Sequence, residues 1–342
     1  MRNKLLNILI LLLITSSVQA TDKINVVTTL STYANVAEYV GGEKVKVNYI
    51  VAGDQDAHFV RPKPSYAMLL SDADLFVSTG LDLELWVPSL VDMSKNDNIR
   101  SGQKGFVAAN DGIKLLDKPD ILSRSEGGLH IYGNPHITPN PLNLKIIAEN
   151  IAIGLEKIDP VNSDYYKSNS KNFQDEINNK TFGEDLVNLM GGLLLTKLAN
   201  NGTLIAFLSS KEYKGKKMID YLGGWMKEAL PLRGRKIVAY HKNWVYFQEL
   251  LGIEIIGYVE PKPGIPPSPK HVEEIVQEMK KNNVKVLFAA NYFDENKVKR
   301  ICEKVGAIPV IVPMFVEGAP NTENVFKLFD LWIGELNKAF EN

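Results

Sequence analysis

The chain carries five histidines: His58, His130, His136, His241 and His271. Neutral imidazole is a good ligand for zinc, copper, iron and nickel, so histidines from distant segments that meet in one cleft would make a divalent-metal site. His58 closes the turn-rich run Gly53-Asp54-Gln55-Asp56-Ala57-His58, His136 ends Gly133-Asn134-Pro135-His136, and His241 directly follows the apolar run Lys236 to Tyr240. His130 falls in a polar, glycine-rich stretch and reads as a loop histidine, a spare or metal-capturing ligand being the alternative. His271 follows Pro269 and reads as a solvated residue of a first helical turn. The spacings are long and irregular, so a shared metal and three separately solvated loop histidines both remain open on the residues alone. Cys302 is the single cysteine, which excludes an internal disulfide and reads as a small buried apolar residue.

The elements around these residues follow an α/β rhythm. Ile24-Asn25-Val26-Val27, Val45 to Val51 and Leu75-Phe76-Val77 read as strands, with helices from Ser31 or Thr32 to Val40 and from Pro64. In the second half, strands at Lys236 to Ala239, Ile253 to Tyr258, Val286 to Phe288 and Val310 to Val312 alternate with helices, and an amphipathic helix runs from about Thr322 to Phe340. Strands alternating with helices over short connections imply parallel sheets. Leu142 to Ile158 has apolar residues at helical spacing. Asp159-Pro160 starts a second helix, polar on most faces, as expected of a helix bridging lobes through solvent. The expected architecture is therefore two lobes, 21–158 and 181–342, each with a mostly parallel sheet flanked by helices, joined by a linker helix at 159–180. In open α/β sheets ligands bind beyond the carboxyl ends of the strands, which is where His58, His136 and His241 are expected to fall, facing a common cleft.

Residues 1–20 have a basic start (Arg2, Lys4), a short apolar run and the small-residue site Val18-Gln19-Ala20. This is the layout of a cleaved secretory signal peptide, and the run is too short for a bilayer span of about 20 residues. No cysteine follows it, so the expectation is a monomer free in a periplasm with no membrane anchor. With 39 basic against 40 acidic residues there is no electrostatic footprint for nucleic acid. A G-x-x-x-x-G-K-[ST] loop and an H-E-x-x-H pair are both absent, which excludes a P-loop ATPase and that type of zinc protease.

Several segments, in order, resemble the metal-binding solute-binding proteins of zinc and manganese ABC importers, the cluster A-I family. They are Gly53 to His58 with Pro62, Pro64 and Ala73-Asp74-Leu75; Gly133 to His136 with Pro141 and Asn143; Asp159-Pro160 with Tyr165, Tyr166 and Asn169; Ala239 to Trp244 with Tyr246-Phe247 and Gly252; Glu260-Pro261 through Pro269; and Ile308-Pro309-Val310 through Glu317. The resemblance covers nearly all of the chain beyond residue 20. It implies capture of a divalent transition metal and delivery to the permease and ATPase subunits of an importer. It also implies the ligands His58, His136, His241 and Glu317, the last standing where the family usually has Asp. After the second histidine the family often reads Trp-Leu-Asp, whereas this chain has Thr138-Pro139-Asn140. Residues about 182–232 look inserted. Three imidazoles and one carboxylate suit tetrahedral zinc, whereas manganese prefers more oxygen, so Zn2+ is expected with Mn2+ as the alternative. Asp54, Asp56 and Glu260 are candidate acceptors that would fix the imidazole tautomers. The rival readings are a secreted zinc-dependent hydrolase, a metal-binding adhesin and a binder of an organic solute.

Overall fold

The structure, a computed structural model, describes residues 23–118, 130–260 and 262–341. The signal-peptide segment and Ser123 to Gly128 lie outside the described residues. The first lobe runs β1 (Ile24–Leu30), α1 (Ser31–Gly41), β2 (Val45–Val51), α2 (Pro64–Ser71), β3 (Leu75–Ser78), α3 (Val87–Ser94) and β4 (Phe106–Ala108). Its sheet has the order β2-β1-β3-β4, every pair parallel. Helices cover both faces, so β1 and β3 are almost wholly buried and read as continuous apolar runs rather than alternating ones.

Two long helices follow, α4 (Pro141–Ile158) and α5 (Ser163–Phe182). Asn140 caps α4 by accepting from the Leu142 backbone N–H at 2.9 Å, and Pro141 occupies the first turn, where its missing N–H has no consequence. α5 links the lobes as expected, but one side of it is buried rather than bathed in solvent. Tyr166, Ser170, Phe173 and Ile177 form a buried seam at helical spacing, and Phe173 packs edge-on to Tyr39 of α1 at 5.0 Å between ring centroids. Ser170 and Asn178 lie on this buried side, so the seam is too polar to stand out in sequence.

The chain continues through α6 (Glu184–Met190), α7 (Gly192–Asn200), α8 (Leu204–Ser210), a small hairpin of β5 (Glu212–Tyr213) and β6 (Lys216–Lys217), and α9 (Gly224–Glu228). The second lobe comprises β7 (Lys236–Ala239), α10 (Val245–Leu251), β8 (Glu254–Tyr258), α11 (Pro269–Lys281), β9 (Val286–Ala290), α12 (Glu295–Glu303), β10 (Ile308–Val312) and α13 (Val325–Glu341). Its sheet order is β10-β9-β7-β8, again parallel throughout. One cluster of buried apolar side chains runs through both lobes, including Phe173, Trp244 and Trp332, and a second fills the other face of the C-terminal sheet. Each large aromatic buried there contributes about 1.5–3 kcal/mol, so the shared core resists separation of the lobes. Among the described residues no helix is long and apolar enough to cross a membrane.

Candidate metal centre

In each sheet the chain reverses its winding beside the first strand, and loops beyond the carboxyl ends of the strands face the other lobe. Three of these loops bring His58, His136 and His241 together, one ligand atom of each lying within 4.8 Å of the other two. The rings of His58 and His136 are 5.0 Å apart between centroids, those of His136 and His241 5.6 Å, and those of His58 and His241 5.7 Å.

Each imidazole is set by its own loop. Asp56 caps a short 3-10 turn, Ala57–Phe59, accepting from the His58 backbone N–H at 3.0 Å. The same oxygen, Oδ1, lies 2.7 Å from His58 Nδ1. A proton on Nδ1 then leaves the Nε2 lone pair free. Burial pushes the Asp56 carboxyl up, but the hydrogen bonds and charge of His58 outweigh it and hold the group below its ordinary value. Trp86 Nε1 donates to the Ala57 carbonyl at 2.8 Å and fixes the loop from behind.

His136 is fixed through Asn134, which links the lobes. Asn134 Oδ1 accepts from the His136 backbone N–H at 2.9 Å, its Nδ2 donates to the Lys242 carbonyl at 2.8 Å, and its own carbonyl accepts from the Tyr246 hydroxyl at 2.8 Å. The His136 ring is buried with neither nitrogen hydrogen-bonded. Burial first, and then the neighbouring imidazoles His58, His241 and His130, lower its pKa well below the usual histidine range. A buried polar group with no partner carries a cost of about 1–3 kcal/mol, so two orphaned nitrogens on one ring call for a ligand.

His241 follows β7 in extended conformation. Its Nδ1 faces the Glu260 carbonyl oxygen at 2.7 Å, so Nδ1–H donates and the buried, unpartnered Nε2 is left as an acceptor. Burial lowers its pKa to about 4, against the opposing pull of that carbonyl. Glu260 therefore acts through its backbone; its carboxylate accepts from the Gly264 N–H at 3.0 Å. Asp54, the other expected acceptor, is exposed. Two imidazoles hydrogen-bonded through Nδ1 and an unpartnered third form a site ready for a divalent cation.

Glu317 is not a member of this group. It is exposed, and its Oε2 accepts from the Tyr49 hydroxyl at 2.6 Å. Its backbone lies in the left-handed region (φ 62°), and its N–H donates to the Thr322 carbonyl at 2.7 Å. In this structure the expected fourth ligand, Glu317, is engaged by Tyr49 and stands apart from the three histidines. His271 also lies outside the group, its Nε2 2.9 Å from the Tyr258 carbonyl oxygen. His130, read from sequence as a loop histidine with a spare or metal-capturing ligand as the alternative, lies beside the group: its Nε2 is 3.3 Å from His58 Nε2, and its Nδ1 is 3.0 Å from Asp82 Oδ1. Asp82 had no signal in the sequence beyond being a carboxylate after a strand. Beside the group opens a cavity of about 440 Å3 lined by Asp54, Gln55, Asp56, Phe59 and Tyr292 among others.

The family model described as zinc-uptake complex component A, periplasmic (ZnuA), matches residues 26–181 and 211–339. The manganese ABC transporter substrate-binding lipoprotein PsaA of Streptococcus pneumoniae is 25% identical over 307 residues, covering 89% of this chain and 83% of that protein. The crystal structure of ZnuA superposes with a TM-score of 0.66 at 20% identity, covering 93% of this chain and 99% of that one. FpvC, a substrate-binding protein of Pseudomonas aeruginosa solved with Mn2+, gives a TM-score of 0.68 at 18% identity, covering 93% and 99%.

Proposed function

The chain belongs to the ZnuA family, the periplasmic component A of zinc-uptake complexes, and from that premise we propose that His58, His136 and His241 hold the metal it carries. The family consists of substrate-binding components of ABC importers rather than enzymes. The function is capture of a divalent transition metal outside the inner membrane and delivery to an importer, whose permease and ATPase subunits are the partners. The carrying observation is the convergence of three imidazoles from two lobes within 4.8 Å, one of them buried with both nitrogens unpartnered.

Zinc is the proposed cargo. Nitrogen ligands favour zinc over manganese, which takes carboxylate, carbonyl and water oxygens, and zinc needs only a tetrahedral set at about 2.0–2.1 Å. His58 and His136 come from the first lobe and His241 from the second, so the ion bridges the cleft. Because the lobes already share a core and the Asn134 ties, capture draws in loops rather than closing a hinge, and release requires His241 to move away from the other two. Isothermal titration of the purified chain with zinc is expected to show one site, and His136→Ala to weaken it by at least about 100-fold, since outer partners of metal ligands alone change affinity by about 10–100-fold. Unchanged affinity in that variant would remove the basis of the proposal.

A further inference from the structure

A tetrahedral ion needs one more ligand than the three converging imidazoles supply. We infer that His130, held by Asp82, is the fourth ligand of the carried metal, in the place expected for Glu317. The inference rests on the metal-cargo reading above.

The first support is a distance. Two nitrogens bound to one tetrahedral zinc at about 2.0–2.1 Å lie about 3.3–3.4 Å apart, the edge of the tetrahedron. His58 Nε2 and His130 Nε2 are 3.3 Å apart. The second is the arrangement behind each ring. Asp56 Oδ1 takes His58 Nδ1 at 2.7 Å and Asp82 Oδ1 takes His130 Nδ1 at 3.0 Å, while Asp82 Oδ2 also accepts from the Ile131 N–H at 3.2 Å. A carboxylate on Nδ1 fixes the same tautomer on both rings and turns both Nε2 lone pairs toward one point. Two such lone pairs at 3.3 Å repel unless a proton or a metal cation lies between them. The third is position: the His130 ring is 5.3 Å from His58 and 5.9 Å from His136, between centroids, on the rim of the group that contains the orphaned His136 nitrogens, and because its nitrogen stands outside the 4.8 Å set it closes on the ion as the metal binds. Against this, the Glu317 carboxylate is exposed and bonded to Tyr49.

The resulting site has four nitrogens and no oxygen, three ligands coming from the first lobe and one from the second. Such a set discriminates against manganese more strongly than three imidazoles and a carboxylate would, and leaves copper as the main competitor in vitro. His130 and its partner Asp82 are both about 15% exposed, against 8% for the His58 side chain, so His130 is the ligand nearest solvent and the first to meet an incoming ion.

The test is zinc K-edge X-ray absorption on the chain loaded with one equivalent of zinc, together with chelator-competition affinities. Four imidazoles are expected in the wild type and three in His130→Ala, with affinity lower by about 100-fold or more; Asp82→Asn is expected to lose about 10–100-fold, as for other partners of metal-bound histidines. Glu317→Ala is expected to keep four imidazoles and bind within about threefold of wild type, because Glu317 lies outside the ligand shell. Should His130→Ala keep the wild-type imidazole count and affinity while His136→Ala loses binding, the inference falls and the cargo reading stands. Should His136→Ala also bind normally, the cargo reading falls with it.

Discussion

The two lobes touch through a pair of glycines, and adding one methyl group there tests whether the loops are held as tightly as the site requires. Gly53 begins the turn that carries His58, and Gly318 follows Glu317. A Cβ on Gly53 would lie 2.3 Å from both Gly318 N and the Val316 carbonyl oxygen, whereas ordinary contacts begin at 3.4 Å. The obstacle is backbone on both sides, so no side chain can turn aside and the loops must part by about 1 Å. Overpacking of this kind costs about 1–3 kcal/mol. The opposing loop cannot yield freely, because the Val316 carbonyl accepts from Ser31 Oγ at 2.6 Å and Asn291 Nδ2 donates to the Gly318 carbonyl at 2.8 Å. Gly53→Ala should therefore lower the melting temperature by about 2–6 °C, at roughly 2 °C per kcal/mol for a chain of this size. Metal geometry tolerates deviations of only about 0.2 Å. A displaced His58 loop should thus weaken zinc binding by about 10–100-fold, comparable with loss of a group that orients a ligand. Differential scanning calorimetry and zinc titration read both effects. A variant that melts with the wild type and binds zinc equally well would refute the claim that this contact positions the first ligand loop.

The metal-free protein should also lose stability in mild acid. His241 has its pKa lowered to about 4 by burial, and His136 is lowered well below the ordinary value by burial and neighbouring imidazoles. The unfolded chain, titrating near 6.5, binds more protons than the folded one throughout that interval, so stability falls as pH drops through about 6.5 and levels off below the folded-state values. For His241 the linkage amounts to about 1 kcal/mol at pH 5.5, with His136 adding in the same direction. Denaturant melts at pH 7.5 and 5.5 measure it, and His241→Asn should flatten the dependence; equal slopes in both proteins would contradict the assignment. Saturating zinc, bound only by the folded state, should add about 2.7 kcal/mol at one hundred times its Kd at pH 7.5, and less at pH 5.5.

Much of this structure was readable in the chain because two signals coincided. Runs such as Leu75-Phe76-Val77 and Val286-Leu287-Phe288 are apolar on both sides, as strands covered by helices must be, and helix starts were marked by Pro64 and Pro269. Placing His58 and His241 after strands then put them at the cleft. What could not be read depends on tertiary placement. The buried side of α5 carries Ser170 and Asn178 among its apolar residues, so no periodicity announced it. Asp82 and His130 lie 48 positions apart and meet only because of the fold. Glu260 contributes a carbonyl, which every residue possesses, and so no side-chain pattern could have assigned that role. Glu317 was carried over from a resemblance; its left-handed backbone and its bond to Tyr49 are properties of this chain's own turn.

The most direct test of the central claim is an anomalous difference map at the zinc edge from crystals grown with one equivalent of zinc. One dominant peak is predicted between the lobes, about 2.0–2.1 Å from Nε2 of His58, from Nε2 of His241 and from one nitrogen of His136. A dominant peak elsewhere, with those three imidazoles beyond bonding distance of it, would contradict the account.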